Sequence, residues 1–116
     1  MKTRKLGSEG IEVPTIGLGC MGMTVQYGEL DDEQSINTIH HALDTGVNLI
    51  NSADMYGWGK NEELISKAIK DRRHAAILNT KFGQVRNPDG SGSVNGRPDY
   101  VQEACEASLA RLGTDY

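Results

Sequence analysis

The sequence predicts an α/β chain in which an N-terminal β-hairpin precedes three strand–helix units. Three observations carry this. Short apolar runs, such as Val47-Asn48-Leu49-Ile50 and Ala75-Ala76-Ile77-Leu78, alternate with longer segments whose apolar residues recur at helical spacing. Glycines and prolines fall at the joints between them. The order strand, helix, strand, helix then implies parallel strands joined by right-handed crossovers.

Arg4-Lys5-Leu6 and Ile11-Glu12-Val13-Pro14 flank the turn residues Gly7-Ser8-Glu9-Gly10, which reads as a hairpin. Thr15-Ile16-Gly17-Leu18 is expected to be a short buried strand, followed by a loop rich in Gly and Met over 19–28. Asp31-Asp32-Glu33 supplies an N-cap and first-turn acids for a helix over 32–45. Ile36, Ile39, Ala42 and Leu43 form its apolar face, and Gly46 stops it. The second helix starts at Asn61-Glu62-Glu63 and buries Leu64, Ile65, Ala68 and Ile69, with Lys70, Arg72 and Arg73 near its end. The polar segment 84–96 reads as a mobile loop containing the turn Asn87-Pro88-Asp89-Gly90. Pro98 suits the first position of a third helix that buries Val101, Ala104, Cys105, Ser108, Leu109 and Leu112 and ends at Gly113. Two architectures accommodate this order, an open doubly wound sheet or part of a (β/α)8 barrel. At 116 residues the chain holds under half of the about 250 residues such a barrel takes.

Composition excludes several function classes. A net charge of −4 gives no basic surface for nucleic acid. No apolar run approaches the about 20 residues that span a bilayer, and the basic start Met1-Lys2-Thr3-Arg4-Lys5 leads into no signal-peptide core. Cys20 and Cys105 match no metal spacing, and two scattered thiols suit a reducing cytoplasm. No metal is expected.

Gly17-Leu18-Gly19-Cys20-Met21-Gly22 satisfies the letters of a dinucleotide-binding glycine motif. In that motif the glycines turn directly from strand into helix. Here the next helix begins only at Asp31, and the acid about 20 residues on, Asp44, falls inside a helix. The Rossmann reading therefore fails on context.

Two segments sit where chemistry is built in a parallel barrel, just past the C-terminal ends of strands. Asn51-Ser52-Ala53-Asp54-Met55-Tyr56-Gly57 follows the second strand, and Thr80-Lys81-Phe82-Gly83 the third. Strands lie about 4.8 Å apart, so Tyr56 and Lys81 can meet. An ammonium beside a phenol favours the phenolate, and such a phenol can give its proton to a carbonyl oxygen as hydride reaches the carbon.

These segments, with Arg4-Lys5-Leu6-Gly7, Ile16-Gly17-Leu18-Gly19, Asn61-Glu62-Glu63-Leu64 and Ala107-Ser108-Leu109-Ala110-Arg111-Leu112-Gly113, make the chain resemble the N-terminal part of the aldo-keto reductase superfamily along essentially its whole length. The 97–116 segment is similar to the branch containing auxin-induced-type and perakine reductases. The resemblance implies a (β/α)8 barrel of which residues 1–116 form the N-terminal portion, incomplete in this chain. It implies NADPH-dependent reduction of small-molecule aldehydes and ketones, with Tyr56 as proton donor and Lys81 beside it. Gly19, Cys20 and Met21 would lie near the nicotinamide ribose, and Trp58 would line the substrate pocket. The family's usual Asp corresponds to Asn51, which can still accept a hydrogen bond from the lysine but brings no charge. It would also lie against the cofactor.

The resemblance further implies a catalytic His at the end of a fourth strand and a cofactor grip near the C-terminus, both beyond Tyr116. His40, His41 and His74 are no substitutes, since none is expected at the convergent face. Without that His and grip, activity in this chain by itself is expected to be weak or absent, and three barrel strands alone leave two open edges and an uncovered sheet face. The competing expectation is a non-catalytic fragment that self-associates through those edges.

Overall fold

In the computed structural model, which describes residues 1–25, 28–29 and 31–116, a three-stranded parallel sheet is backed by three helices. The N-terminal hairpin pairs β1 (Thr3–Leu6) with β2 (Ile11–Pro14), with Leu6 opposite Ile11. The parallel sheet follows in the order β3 (Leu18–Gly19), β4 (Leu49–Asn51), β5 (Ile77–Asn79). Between and after these come α1 (Asp32–Asp44), α2 (Lys60–Ile69) and α3 (Pro98–Leu112). Of the 19–28 loop, Gln26 and Tyr27 lie outside the described residues, as does Leu30.

The helices begin and end for local reasons. Asp31 caps α1 by accepting the Gln34 N–H at 3.0 Å, and Gly46 leaves the helix at φ +83°. Pro98 opens α3, and Gly113 closes it at φ +66°. α2 packs against both α1 and α3. Its buried Ile65, Ala68 and Ile69 join Cys20, Ile39, Ile50, Ala76 and Leu112 in one core between sheet and helices.

The structure corrects several details. The first parallel strand is only Leu18–Gly19, and Ile16, expected inside, is 63% exposed. The hairpin is bonded just ahead of it, where the Thr15 N–H reaches the Lys2 carbonyl, and no described element covers Ile16. The other two strands start two residues later than the apolar runs. At the first, the Val47 N–H closes α1 on the Ala42 carbonyl. At the second, a 3-10 turn over Arg73–Ala75 consumes the start of the run. The shift puts Asn51 and Asn79 inside the ladder, paired in register.

The 84–96 segment is a second hairpin rather than a mobile loop, with β6 (Gln84–Arg86) antiparallel to β7 (Gly92–Val94). Its turn is locked by the Asp89 carboxylate, which accepts from the Ser91 N–H at 2.9 Å, and by the Asn87 N–H to the Ser91 carbonyl at 2.8 Å. Cys105, expected on the buried face of α3, is exposed, because α3 turns only Ala104, Ser108 and Leu112 fully inward.

The two thiols therefore differ. Cys20 is fully buried, and burial pushes its pKa from 9.0 up to about 12, only partly countered by a backbone hydrogen bond at Asn51 and the Lys81 charge. Thiol reagents act through the thiolate. Under native conditions near neutral pH, alkylation followed by mass spectrometry should find label on Cys105 and none on Cys20 until the chain is unfolded. Equal labelling of both would contradict this packing.

Candidate functional site at the strand ends

The hydrogen-bonded ladder continues past the strand ends and aims their exits at one place. The Cys20 N–H bonds to the Asn51 carbonyl at 2.9 Å, the Ser52 N–H to the Asn79 carbonyl at 2.8 Å, and the Asp54 N–H to the Lys81 carbonyl at 2.9 Å. The backbone then turns so that Tyr56 is held on both sides, its N–H on the Ala53 carbonyl and its carbonyl on the Asn61 N–H. Tyr56 and Lys81 meet as their spacing predicts, with the Lys81 ammonium 5.0 Å from the centroid of the Tyr56 ring. That ammonium is anchored at its other side, donating to Asn51 Oδ1 at 2.8 Å and to the Ser52 carbonyl. Asn51 in turn donates to Asn79 Oδ1. Asn51 thus holds the lysine as an acceptor without contributing charge.

A cavity of about 240 Å³ opens beside this pair, lined by Ala53, Tyr56, Lys81, Phe82 and Gln84 among others. Gly19 ends β3 directly beside Asn51, exposed, with open space where a side chain would stand. Met21 is half-buried in a 3-10 turn over Met21–Met23. The Cys20 side chain points into the core, so only its backbone is available at the loop. The glycine motif leads into that 3-10 turn and not into a helix, as its rejection required.

Trp58 lies to one side. It is 55% exposed and lines a neighbouring cavity of about 360 Å³ with Asp54, Gln84, Tyr100 and Arg111, where the Arg86 guanidinium carbon sits 5.9 Å from its ring. Its φ of +54°, between Gly57 at +58° and Gly59 at +93°, is unusual for a bulky residue and carries backbone strain of about 1–3 kcal/mol. The histidines are remote. His40 Nε2 sits 2.7 Å from the Ala68 carbonyl, His41 lies in the last turn of α1, and His74 lies ahead of β5 at its N-terminal side. Among the described residues no group of three or more potential ligands could hold a metal ion.

The sequence reading missed a buried polar scaffold beneath the site. Asn61 and Glu62, which the sequence places at the start of the second helix without marking them as buried, are both fully buried. Asn61 donates to the Cys20 carbonyl at 2.8 Å and to Thr24 Oγ1 at 2.9 Å, and accepts from Ser52 Oγ at 2.7 Å. It ties the first loop to the second strand end. Glu62 accepts from Thr80 Oγ1 at 2.7 Å and from Arg111 Nε at 2.6 Å. The available signal was helical phase, since Glu62 precedes Ile65 and Ile69 by three and seven residues and so falls on the buried stripe.

Asp54 has a buried carboxylate oxygen, Oδ1, without a hydrogen-bond partner among the described residues. Burial raises its pKa above the ordinary 3.8, a backbone bond from Met55 lowers it, the Glu62 charge raises it and Arg111 lowers it. A raised carboxylate favours the protonated fold, so its contribution to stability is full below about 3.8 and is lost as pH climbs through the folded value. Asp54→Asn, neutral throughout, should therefore raise the Tm relative to the parent at pH 7 and lose that advantage near pH 3.5. A constant difference across that range would count against the account.

A family model described as the aldo/keto reductase family matches residues 15–116. The aldo-keto reductase yakc [NADP(+)] of Schizosaccharomyces pombe is 45% identical over 97% of this chain and 34% of its own length. The holo form of an aldo-keto reductase from Bacillus halodurans superposes with a TM-score of 0.86 at 36% identity, covering 100% of this chain and 38% of that one. An aldo-keto reductase from Klebsiella pneumoniae, solved in complex with NADPH, gives a TM-score of 0.73 at 29% identity over 100% of this chain and 37% of that one. The chain thus spans about a third of the length of these relatives, and its three strand–helix units are part of their barrel fold. It belongs to the aldo/keto reductase family.

Proposed function

We propose that this chain supplies the proton-donating part of a site that reduces small-molecule aldehydes and ketones with NADPH. The observation that carries the reading is the Lys81 ammonium, anchored on Asn51 and the Ser52 carbonyl and poised 5.0 Å from the centre of the Tyr56 ring. When bound, the reduced nicotinamide supplies hydride to a carbonyl carbon. Tyr56 gives its hydroxyl proton to the carbonyl oxygen, and the adjacent ammonium stabilises the phenolate left behind. The open surface at Gly19, the Cys20 backbone and the half-buried Met21, beside Asn51, would help hold the nicotinamide ribose. The carbonyl substrate would enter the 240 Å³ cavity, with Trp58 at its flank. The free Cys20 and Cys105 support a reducing compartment such as the cytoplasm.

The reading is tested by titrating NADPH into the chain while following Trp58 emission. Saturation in the micromolar range supports it for this chain alone. Absence of binding at millimolar nucleotide confines it to a polypeptide of the relatives' full length.

A specific observation favours a second reading, self-association without catalysis. β3 and β5 are both edges of the parallel sheet. Beside β5, Leu78, Phe82, Val101, Leu109, Leu112 and Tyr116 line an apolar groove of about 340 Å³. Open edges and exposed apolar grooves drive association. Light scattering should show concentration-dependent oligomers, and a monomer that unfolds cooperatively contradicts this reading.

A further inference from the structure

The Glu62 carboxylate is fully buried, yet its two hydrogen-bond partners come from different elements of the fold. Thr80, bonded through Oγ1 at 2.7 Å, is the residue immediately before Lys81. Arg111, bonded through Nε at 2.6 Å, stands on α3 and is steadied by Ser108 Oγ at 3.2 Å. The Arg111 side chain also lies across the turn that follows Tyr56, so closely that a Cβ added at Gly59 would fall 2.6 Å from its Cδ. One part-buried ion pair therefore touches the Thr80 side chain, next to Lys81, and the turn next to Tyr56. Burying such a pair is costly, and its desolvation offsets much of the Coulombic gain. An apolar pair of similar volume would serve packing as well. What it would not supply is a directional bond to Thr80.

We propose that Glu62, clamped by Arg111, is a positioning residue that fixes where Lys81 stands relative to Tyr56. It touches neither substrate nor cofactor and acts through Thr80. The proposal rests on the reading that Lys81 and Tyr56 form the site, but its test needs no nucleotide or carbonyl, so the two can fail separately.

The test is Thr80→Val, which keeps the volume and removes the hydroxyl, with Thr80→Ser as the variant that restores it. Amide hydrogen exchange and the Tyr56 ring resonances are read in the chain by NMR. The Asp54 N–H, bonded to the Lys81 carbonyl at 2.9 Å, reports the position of the lysine backbone. The Tyr56 ring reports the ammonium beside it. In Thr80→Val the Asp54 amide should exchange about tenfold faster, the factor that follows from losing one ordinary hydrogen bond of local stability. The Tyr56 signals should move in the direction produced by Lys81→Met. Both should return in Thr80→Ser, with the Ile50 and Ile65 amides unchanged throughout. Unaltered Asp54 exchange with unmoved Tyr56 signals overturns the proposal. So does a uniform rise at Asp54, Ile50 and Ile65, which would mark Thr80 as a general stabiliser only.

Discussion

Replacing Tyr56 by Phe is expected to lower carbonyl reduction about 10²–10⁴-fold, the range contributed by a positioned general acid. The assay is made in a polypeptide of the relatives' full length carrying this sequence. The substitution deletes one oxygen and leaves the ring under the Lys81 ammonium, so the cation–ring contact at 5.0 Å survives. Cofactor affinity should then be nearly unchanged while kcat falls, the pattern of an interaction made mainly in the transition state. Lys81→Met should lower kcat as well. The double variant should be little worse than either single one, because the two groups act as a unit. Losses that multiplied independently would show that Lys81 and Tyr56 do not share a step.

Arg111→Met is expected to destabilise the fold by about 3–5 kcal/mol, the cost of stranding a buried charge. That is a large part of the about 5–15 kcal/mol that holds a typical domain. The expectation is asymmetric. Arg111 is 27% exposed and Glu62 is 0%, so a carboxylate left alone has no route to water while a guanidinium left alone can turn outward. Glu62→Met should therefore cost less than Arg111→Met. Combining the two should recover part of the loss, since an apolar pair leaves no stranded charge. Urea denaturation of the three variants measures this, and a double variant as unstable as the sum of the singles contradicts it.

The parts of this fold that were legible in the sequence are those fixed by short-range signals. The hairpin at Gly7-Ser8-Glu9-Gly10, the Asp31 cap, Pro98 and the glycine stops each follow from local backbone chemistry. The meeting of Tyr56 and Lys81 was legible because parallel strands bring their C-terminal ends together whatever the side chains. What escaped depended on pairing and packing that the local pattern does not mark. Residues 84–96 read as a mobile loop around the turn Asn87-Pro88-Asp89-Gly90 because their polar composition carries no apolar alternation to mark the short strands β6 and β7 on either side of it. Glu62 looked like an ordinary acid in a first helical turn because its partner Arg111 lies forty-nine residues away. Cys105 satisfied helical spacing yet faces outward, because α3 meets the rest of the molecule along a narrower stripe than its apolar residues mark.

The central claim is that the Tyr56–Lys81–Asn51 arrangement serves direct hydride transfer to a carbonyl. The most direct measurement uses NADPH carrying deuterium at the nicotinamide carbon that gives up hydride, an aldehyde, and the same full-length polypeptide with and without Tyr56→Phe. The account predicts that deuterium appears on the carbinol carbon of the alcohol, and that Tyr56→Phe slows its appearance about 10²–10⁴-fold. Alcohol formed without deuterium, or formed as fast by Tyr56→Phe as by the parent, would contradict it.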